Sequence, residues 1–402
     1  MALRKLIGKI HLWLGLASGL VVFILGVTGC ILVFEEEIKS IVYSDIFQVE
    51  VAENDYKPVS QLLEAAQNGL TSDLPVTDIQ LFPEQNHSVK FYAFKTKADD
   101  GIWYWDGREF FNLFVNPYTS KVLKEKNADF EFFFLIEQLH YSLLLKAEIG
   151  KPIIGTSTII FIIMLITGLV LWWPKNKAAK RQRVWFRWKP TTKWKRKNYD
   201  LHSIIGFYSM FLVIFIALTG LMWAFTWFSD GVEWIANGGK TIEKERPKIE
   251  STIAPFNTTH PLDIVHHSLK ANHAEAEVYY INLPQDSIGT VGAYVMYEDL
   301  TKNVNLQYDQ YSGALLYTGD KWEDKTNGEK VRAYNYDIHV GAIGGLPNKI
   351  LNFFLSLFAA SLPVTGFLIW RGRRKKQHKL PGAVRADVAE RGMSTKVSNY
   401  SA

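Results

Sequence analysis

Four stretches of this 402-residue chain contain no Asp, Glu, Lys or Arg: Leu12–Phe34, Ile153–Trp173, Leu201–Phe228 and Ile350–Trp370. Each has at least 21 residues. At about 1.5 Å of rise per residue, such a run crosses the roughly 30 Å hydrocarbon core of a bilayer as a helix. A buried helix of a soluble protein rarely runs so long without a charge. The chain therefore reads as a membrane protein with a four-helix transmembrane bundle. With 48% apolar residues it is also too apolar to be disordered.

Charge orients the spans. Residues 1–11, 174–200 and 371–402 carry 3, 11 and 9 Lys/Arg against only Asp200, Asp387 and Glu390. Segments 35–139 and 229–338 carry 9 basic and 19 acidic residues, and 10 basic and 17 acidic. The basic excess marks the cytoplasmic side, so both termini and the loop 174–200 are expected inside. Two acidic segments of about 105–110 residues are expected outside. Because the basic loop flanks two spans, it reads as a topology signal, not a nucleic-acid site.

The single cysteine, Cys30, excludes an intrachain disulfide, a four-cysteine metal site and covalent c-type haem attachment. Arg4, Lys5 and Lys9 before an apolar run ending Val27-Thr28-Gly29-Cys30 also fit a lipoprotein signal. Against that, the run continues past the cysteine to Phe34, and the first span has an internal copy.

That copy is visible on setting His11 against His202. Gly15, Ser18, Gly26 and Gly29 follow His11 by 4, 7, 15 and 18 residues; Gly206, Ser209, Ala217 and Gly220 follow His202 by the same offsets. These positions share one helix face, a stripe of small residues that admits another helix or a flat ligand. His140 and His339 form a second pair. Each precedes a Gly/Pro turn (Gly150-Lys151-Pro152; Gly344-Gly345-Leu346-Pro347) and a span carrying Thr-Gly and then Trp (Thr167-Gly168 and Trp172; Thr365-Gly366 and Trp370). The outer segments match as well: Pro58-Val59-Ser60 with Pro261-Leu262-Asp263, Ser88–Phe94 with Thr290–Tyr297, and Asn116-Pro117-Tyr118-Thr119 with Asp309-Gln310-Tyr311-Ser312-Gly313. The chain is expected to be two copies of span, outer α+β domain, span, related by a pseudo-twofold axis along the membrane normal.

The expected order is span 1 with its cytoplasmic N-terminus (1–34), outer domain 1 (35–139), ligand segment and span 2 (140–173), basic loop (174–200), span 3 (201–228), outer domain 2 (229–338), ligand segment and span 4 (339–370), and a basic tail (371–402). His11 and His202 share the inner depth, and His140 and His339 the outer one. Two neutral imidazoles facing across a bundle suit the bis-His ligation of a b-type haem, so two such haems are expected, with Gly15 and Gly206 leaving room for porphyrin. Zinc is the competing reading, weaker for want of a third ligand. A proton relay would call for Asp or Glu in the spans, which have none. The run from His11 to Gly29 covers about 27 Å of helix, and bis-His iron has no open position, which favours electron transfer over oxygen chemistry.

With these residues in view, the chain resembles the PepSY-associated transmembrane proteins, which include iron-regulated ferric-siderophore reductases. His11-Leu12-Trp13-Leu14-Gly15-Leu16, Thr28-Gly29, Phe114-Val115-Asn116-Pro117-Tyr118-Thr119, Leu139-His140-Tyr141-Ser142-Leu143-Leu144, Leu201-His202-Ser203 and Ile338-His339 carry the resemblance, which extends to about residue 375. It implies four helices with two b haems, periplasmic PepSY-type domains and reduction of an Fe(III)-siderophore that releases Fe(II). The family's haem ligands fall on His11, His202, His140 and His339. Departures lie in turns: Ser120 stands where glycine is usual, and Gln310 and Ser312 where proline and threonine are common.

Trp103-Tyr104-Trp105, Phe132-Phe133-Phe134, Tyr334 and Tyr336 read chiefly as core and secondarily as a siderophore platform. His260, His266, His267 and His273 cluster in the second outer segment without a convincing metal spacing, and His87 and His378 read as solvated. No G-x-G-x-x-G after a strand and no Walker A pattern occurs, so electrons are expected from a partner, a quinol or a cytoplasmic reductase. The class-level alternative is a regulatory protein whose PepSY-type domains bind a peptidase or sensor. A transporter is disfavoured by the charge-free spans.

Overall fold

The computed structural model describes residues 2–377 except 53–54, 99, 175, 245–246 and 254–258. His378 and the end of the basic tail lie outside the described residues. In chain order the helices are α1 (Ala2–Leu32), α2 (Glu35–Val42), α3 (Ser44–Phe47), α4 (Val59–Gly69), α5 (Phe132–Ser142), α6 (Ala147–Trp172), α7 (Lys177–Arg183), α8 (Trp194–Ala224), α9 (Thr226–Ala236), α10 (Pro261–Asn272), α11 (Asn327–Val340) and α12 (Leu346–Gln377). Four are long and apolar enough to span a bilayer: Ala2–Leu32, Ala147–Trp172, Trp194–Ala224 and Leu346–Arg373. They contain the four charge-free stretches almost entirely. The third ends four residues early, because extended Phe225 breaks the helix and starts α9. Cys30 lies inside α1.

The chain divides into two units. One, the helical unit, takes Thr156–Ala217 together with the chain up to Val27 and from Phe353 onward. Its core draws on all four long helices: Val22, Phe161, Leu165, Met210, Val213, Leu355, Ala359 and Leu362. The small stripe of α1 receives α12, since a Cβ on Gly26 would sit 2.7 Å from the Ala360 nitrogen and one on Gly19 3.4 Å from Pro363. Trp172 of α6 stacks on Phe207 of α8 at 3.6 Å. Arg4 and Arg183 both donate to the last carbonyls of α6, at Leu171, Trp172 and Trp173. Cations are favourable at that end of a helix dipole.

The other, the sheet unit, comprises Thr28–Gly155 and Leu218–Asn352. Its strands are β1 (Val76–Leu81), β2 (Val89–Thr96), β3 (Arg108–Val115), β4 (Val122–Asn127), β5 (Val278–Asn282), β6 (Thr290–Met296), β7 (Val304–Asp309) and β8 (Leu315–Thr318). They form one antiparallel sheet in the order β4-β3-β2-β1-β5-β6-β7-β8. This corrects the expectation of two separate outer domains. Each copy supplies a helix and four strands, but β1 pairs with β5 from Asp78↔Asn282 to Leu81↔Tyr279 and fuses them. The physical reason is that Ile79, Leu81, Tyr279 and Ile281 are fully buried, and edge-to-edge pairing also satisfies the backbone of both central strands. One face carries Val59, Leu62 and Ala66 of α4 and Leu262, Val265 and Leu269 of α10 in a shared core with the strands. Asp263 of α10 accepts from the backbone N–H (2.9 Å) and hydroxyl (2.5 Å) of Ser60 at the start of α4, tying the copies again.

The matched turns fold alike. The Asn116 side chain accepts from the N–H groups of Tyr118 and Thr119, and that of Asp309 from Tyr311 and Ser312. Four residues on, Ser120 and Gly313 both adopt the left-handed region, at φ 58° and 70°. Glycine is at ease there and serine is not. The Ser120 hydroxyl is also buried without a hydrogen-bond partner among the described residues. Ser120→Gly is expected to stabilise the fold by up to about 1 kcal/mol, part of the relief being lost to greater chain entropy in the unfolded state. Thermal unfolding of the purified chain checks this.

His266 on α10 lies against Tyr56, ring centroids 5.8 Å apart. Burial, with the Lys270 charge adding, pulls its pKa from 6.5 to about 4. The folded chain thus holds it neutral while the unfolded chain takes up a proton. Its contribution is complete above pH 6.5 and is lost as pH falls toward 4. The loss is at most about 3 kcal/mol. His266→Gln should flatten that acid limb of the stability profile, read by denaturation between pH 7 and about 4.

Candidate functional site

The four histidines singled out in the sequence come together in two pairs. In the helical unit, His11 (α1) and His202 (α8) have ring centroids 6.4 Å apart with planes at 81°. In the sheet unit, His140 (α5) and His339 (α11) are 6.1 Å apart at 71°. A single metal ion in line between two imidazoles needs two bonds of about 2 Å plus two ring radii of about 1.1 Å, a centroid separation of about 6.2 Å. Both pairs match that figure.

Each imidazole is oriented by a threonine. His11 Nδ1 is 2.9 Å from Thr167 Oγ1, and His202 Nδ1 is 2.9 Å from Thr365 Oγ1. His140 Nδ1 lies 2.8 Å from Thr28 Oγ1, and His339 Nδ1 2.9 Å from Thr219 Oγ1. The hydroxyls of Thr167 and Thr365 themselves donate to backbone carbonyls, of Met164 (3.1 Å) and of Ser361 (2.8 Å) and Leu362 (3.1 Å). Those oxygens therefore accept from the imidazole Nδ1–H. The tautomer that results carries its lone pair on Nε2, the state a metal ligand requires.

The Thr-Gly pairs have a double use. The glycine after three of these threonines packs against the held ring: a Cβ on Gly168 would stand 3.4 Å from His11 Cε1, one on Gly220 3.4 Å from His339 Cε1, and one on Gly366 3.3 Å from His202 Cε1. Gly15 and Gly206, expected beside the porphyrin, instead receive the side chains of Met164 (2.9 Å) and Leu362 (3.3 Å). Sequence reasoning noticed the Thr-Gly pairs only as repeat markers. Part of the signal is in the spacing, since Thr28 and Thr219 each follow the first histidine of their copy by 17 residues, whereas Thr167 and Thr365 follow the second by 27 and 26.

The second copy is braced further. Asn198 and Asn335 stand one turn before His202 and His339, and donate to the backbone carbonyls of Thr365 (3.0 Å) and Thr219 (3.2 Å), the same residues that hold the rings. Asn352 donates to the His339 carbonyl at 3.0 Å, and Trp223 meets the His339 ring edge-on at 5.0 Å. A capping box of Thr326 and Glu329 starts α11, and left-handed Gly341 ends it one residue after Val340. Two residues before His339, burial raises the Asp337 carboxyl above its usual range, with the Glu36 charge adding.

The turn after His140 is not at Gly150-Lys151-Pro152. Those residues lie in the first turns of α6, and the reversal falls on Leu143 and Leu144, both left-handed at φ 57° and 62°. Gly150 is a contact residue, where a Cβ would sit 1.9 Å from the Ser142 carbonyl oxygen. The remaining histidines do local work. His260 caps α10, His273 bonds the Tyr297 hydroxyl at 2.7 Å, and His267 is exposed. His87, expected to be solvated, stacks on Phe82 at 4.6 Å. Among the described residues, no three His, Cys, Asp or Glu side chains gather into a metal-holding group. Of the aromatics, Tyr104 and Phe133 are buried, whereas Trp103, Phe132 and Tyr336 are exposed.

The family model for the PepSY-associated TM region matches residues 9–373, and the chain belongs to that family. No curated protein matches it.

Thr167→Val and Thr365→Val keep shape and remove the acceptor. Each is expected to lower affinity for the haem anticipated at His11 and His202 about 10–100-fold. Haem titration of purified, haem-depleted protein reads this directly.

Proposed function

We propose that this chain is a dihaem b oxidoreductase of the bacterial inner membrane, which passes electrons across the bilayer to a ferric chelate in the periplasm. The observation that carries the reading is the gathering of four repeat-related histidines into two pairs at metal-bridging separation, each Nδ1 held by a threonine. The donor set fits the group. Two neutral nitrogen ligands per site, with no third ligand among the described residues, suit haem iron better than zinc. Bis-His haem supplies reversible one-electron transfer with no open iron position.

In this reading His11 and His202 hold the inner haem, and His140 and His339 the outer. The threonines and glycines keep each ring in one tautomer and one orientation. The basic segments lie in the cytoplasm and the sheet unit in the periplasm. Each electron delivered converts one chelated Fe(III) to Fe(II), which the chelator holds weakly. A quinol donor gives two electrons and two protons, so one quinol serves two chelates; a cytoplasmic reductase is the other donor class. The regulatory alternative has no use for the paired imidazoles.

The test is a reduced-minus-oxidised spectrum with a haem count on detergent-purified protein. About two haems per chain are expected from two bis-His sites. His11→Ala or His202→Ala should remove the inner haem and His140→Ala or His339→Ala the outer, leaving about one in each case. A protein that stays colourless with haem supplied would sink the reading and leave peptidase or sensor binding.

A further inference from the structure

The sheet has two faces, and α4 and α10 cover one. The opposite face carries an unusual mixture: Asp78 and Gln80 on β1, Lys90, Tyr92 and Phe94 on β2, Phe110 and Asn112 on β3, and Tyr280 and Asn282 on β5. A cleft of about 890 Å³ opens there, lined among others by Tyr92, Phe94, Lys95, Arg108, Phe110 and Phe134. A second hollow of about 200 Å³ shares Tyr92, Phe110 and Phe134 with it and adds Lys90. Clefts that hold small ligands typically span about 300–1,000 Å³.

The polar groups are arranged for an anion. The Arg108 guanidinium lies over the rings of Tyr104, Phe110 and Phe134 at 5.0–5.9 Å, and its Nε donates to Asp129 at 2.7 Å. Its Nη2 is buried with no hydrogen-bond partner among the described residues. A buried guanidinium N–H without an acceptor is costly, and an incoming oxygen would satisfy it. The Lys90 ammonium sits over Tyr92 at 4.3 Å. Burial pushes Lys90 down to about 7, and a neighbouring anion would restore its charge. Among the described residues lining the cleft, the carboxylate of Asp78 already accepts from Asn282 and from Thr77 (2.7 Å), and that of Glu131 in the adjoining hollow accepts from the Tyr43 hydroxyl (2.8 Å) and the Phe134 N–H (3.0 Å).

We propose that this cleft binds an anionic ligand bearing aromatic rings, recognised by Arg108 and Lys90 through its charge and by Tyr92, Phe94, Phe110 and Phe134 through its rings. Resting on the function proposed above, the ligand is an anionic ferric chelate of the catecholate class. Phe134 of the cleft and His140 lie on the same helix, α5, six residues apart. That is about 9 Å of rise, so the cleft opens near the outer imidazole pair.

The test uses the full-length protein and gallium(III) tris-catecholate, a trianionic probe that cannot be reduced. Calorimetry should show binding that weakens about tenfold or more in Lys90→Met and in Arg108→Gln. Arg108 also pairs with buried Asp129, whereas Lys90→Met keeps an unbranched stem over Tyr92, so Lys90→Met keeps the test sound if Arg108→Gln fails to fold. A cationic gallium trihydroxamate should bind more weakly. Equal affinity in wild type and Lys90→Met, or preference for the cationic probe, would overturn the assignment. Metal-free 2,3-dihydroxybenzoate binding as tightly as the chelate would reassign the cleft to simple aromatic acids. Gallium binding without reduction of the iron complex would keep the cleft and reject the reductase. Reduction with KM unchanged in both variants would do the reverse.

Discussion

The hydrogen bond between a histidine Nδ1 and a threonine hydroxyl oxygen is the constraint on which this protein turns. It occurs four times, always between different helices. An imidazole at a membrane helix has two rotational freedoms and two tautomers, and a ligand role tolerates one combination. The threonine selects it, and the helix packing must keep the two helices in register for the bond to form. Packing in the helical unit follows: small residues on α1 bring α12 close, and Trp172 seats α6 on α8. Without a hydrophobic drive inside lipid, such close contacts and inter-helix hydrogen bonds are what hold spans together.

The sheet unit solves a related problem by fusion. Two four-stranded sheets each have a central edge that would expose unpaired backbone. Pairing β1 with β5 removes both edges and puts α4 and α10 over one continuous apolar face. The other face keeps Lys90, Arg108 and their aromatic neighbours for use. A sheet with one apolar and one mixed face separates stability from recognition, since the first can be packed tightly while the second stays open.

The two copies are equivalent in plan but not in reinforcement. Asn198 and Asn335 brace the histidines of the second copy, where the first has Ile7 and Ile136 at the matching positions. The turns differ likewise, Gly313 being relaxed where Ser120 is strained. Duplicated halves with unequal bracing give two rings in each pair unequal freedom, a difference that bears on how firmly each is held.

The spans, the pairing of His11 with His202 and of His140 with His339, and the family were all legible in the sequence. The reason is that lipid excludes charge over a fixed length, and a repeat places equivalent residues at equivalent depth. Turn chemistry was legible only in part. Asn116 and Asp309 announced their turns, but Gly150 and Pro152 suggested a reversal that falls on Leu143 and Leu144, because the glycine answers to a contact with Ser142. The role of the threonines, the seating of Met164 and Leu362 against Gly15 and Gly206, the stacking of His87 on Phe82 and the single sheet were decided by tertiary structure alone. Each depends on which neighbour a side chain or strand edge meets, and a one-dimensional pattern records spacing along the chain but not the partner across it.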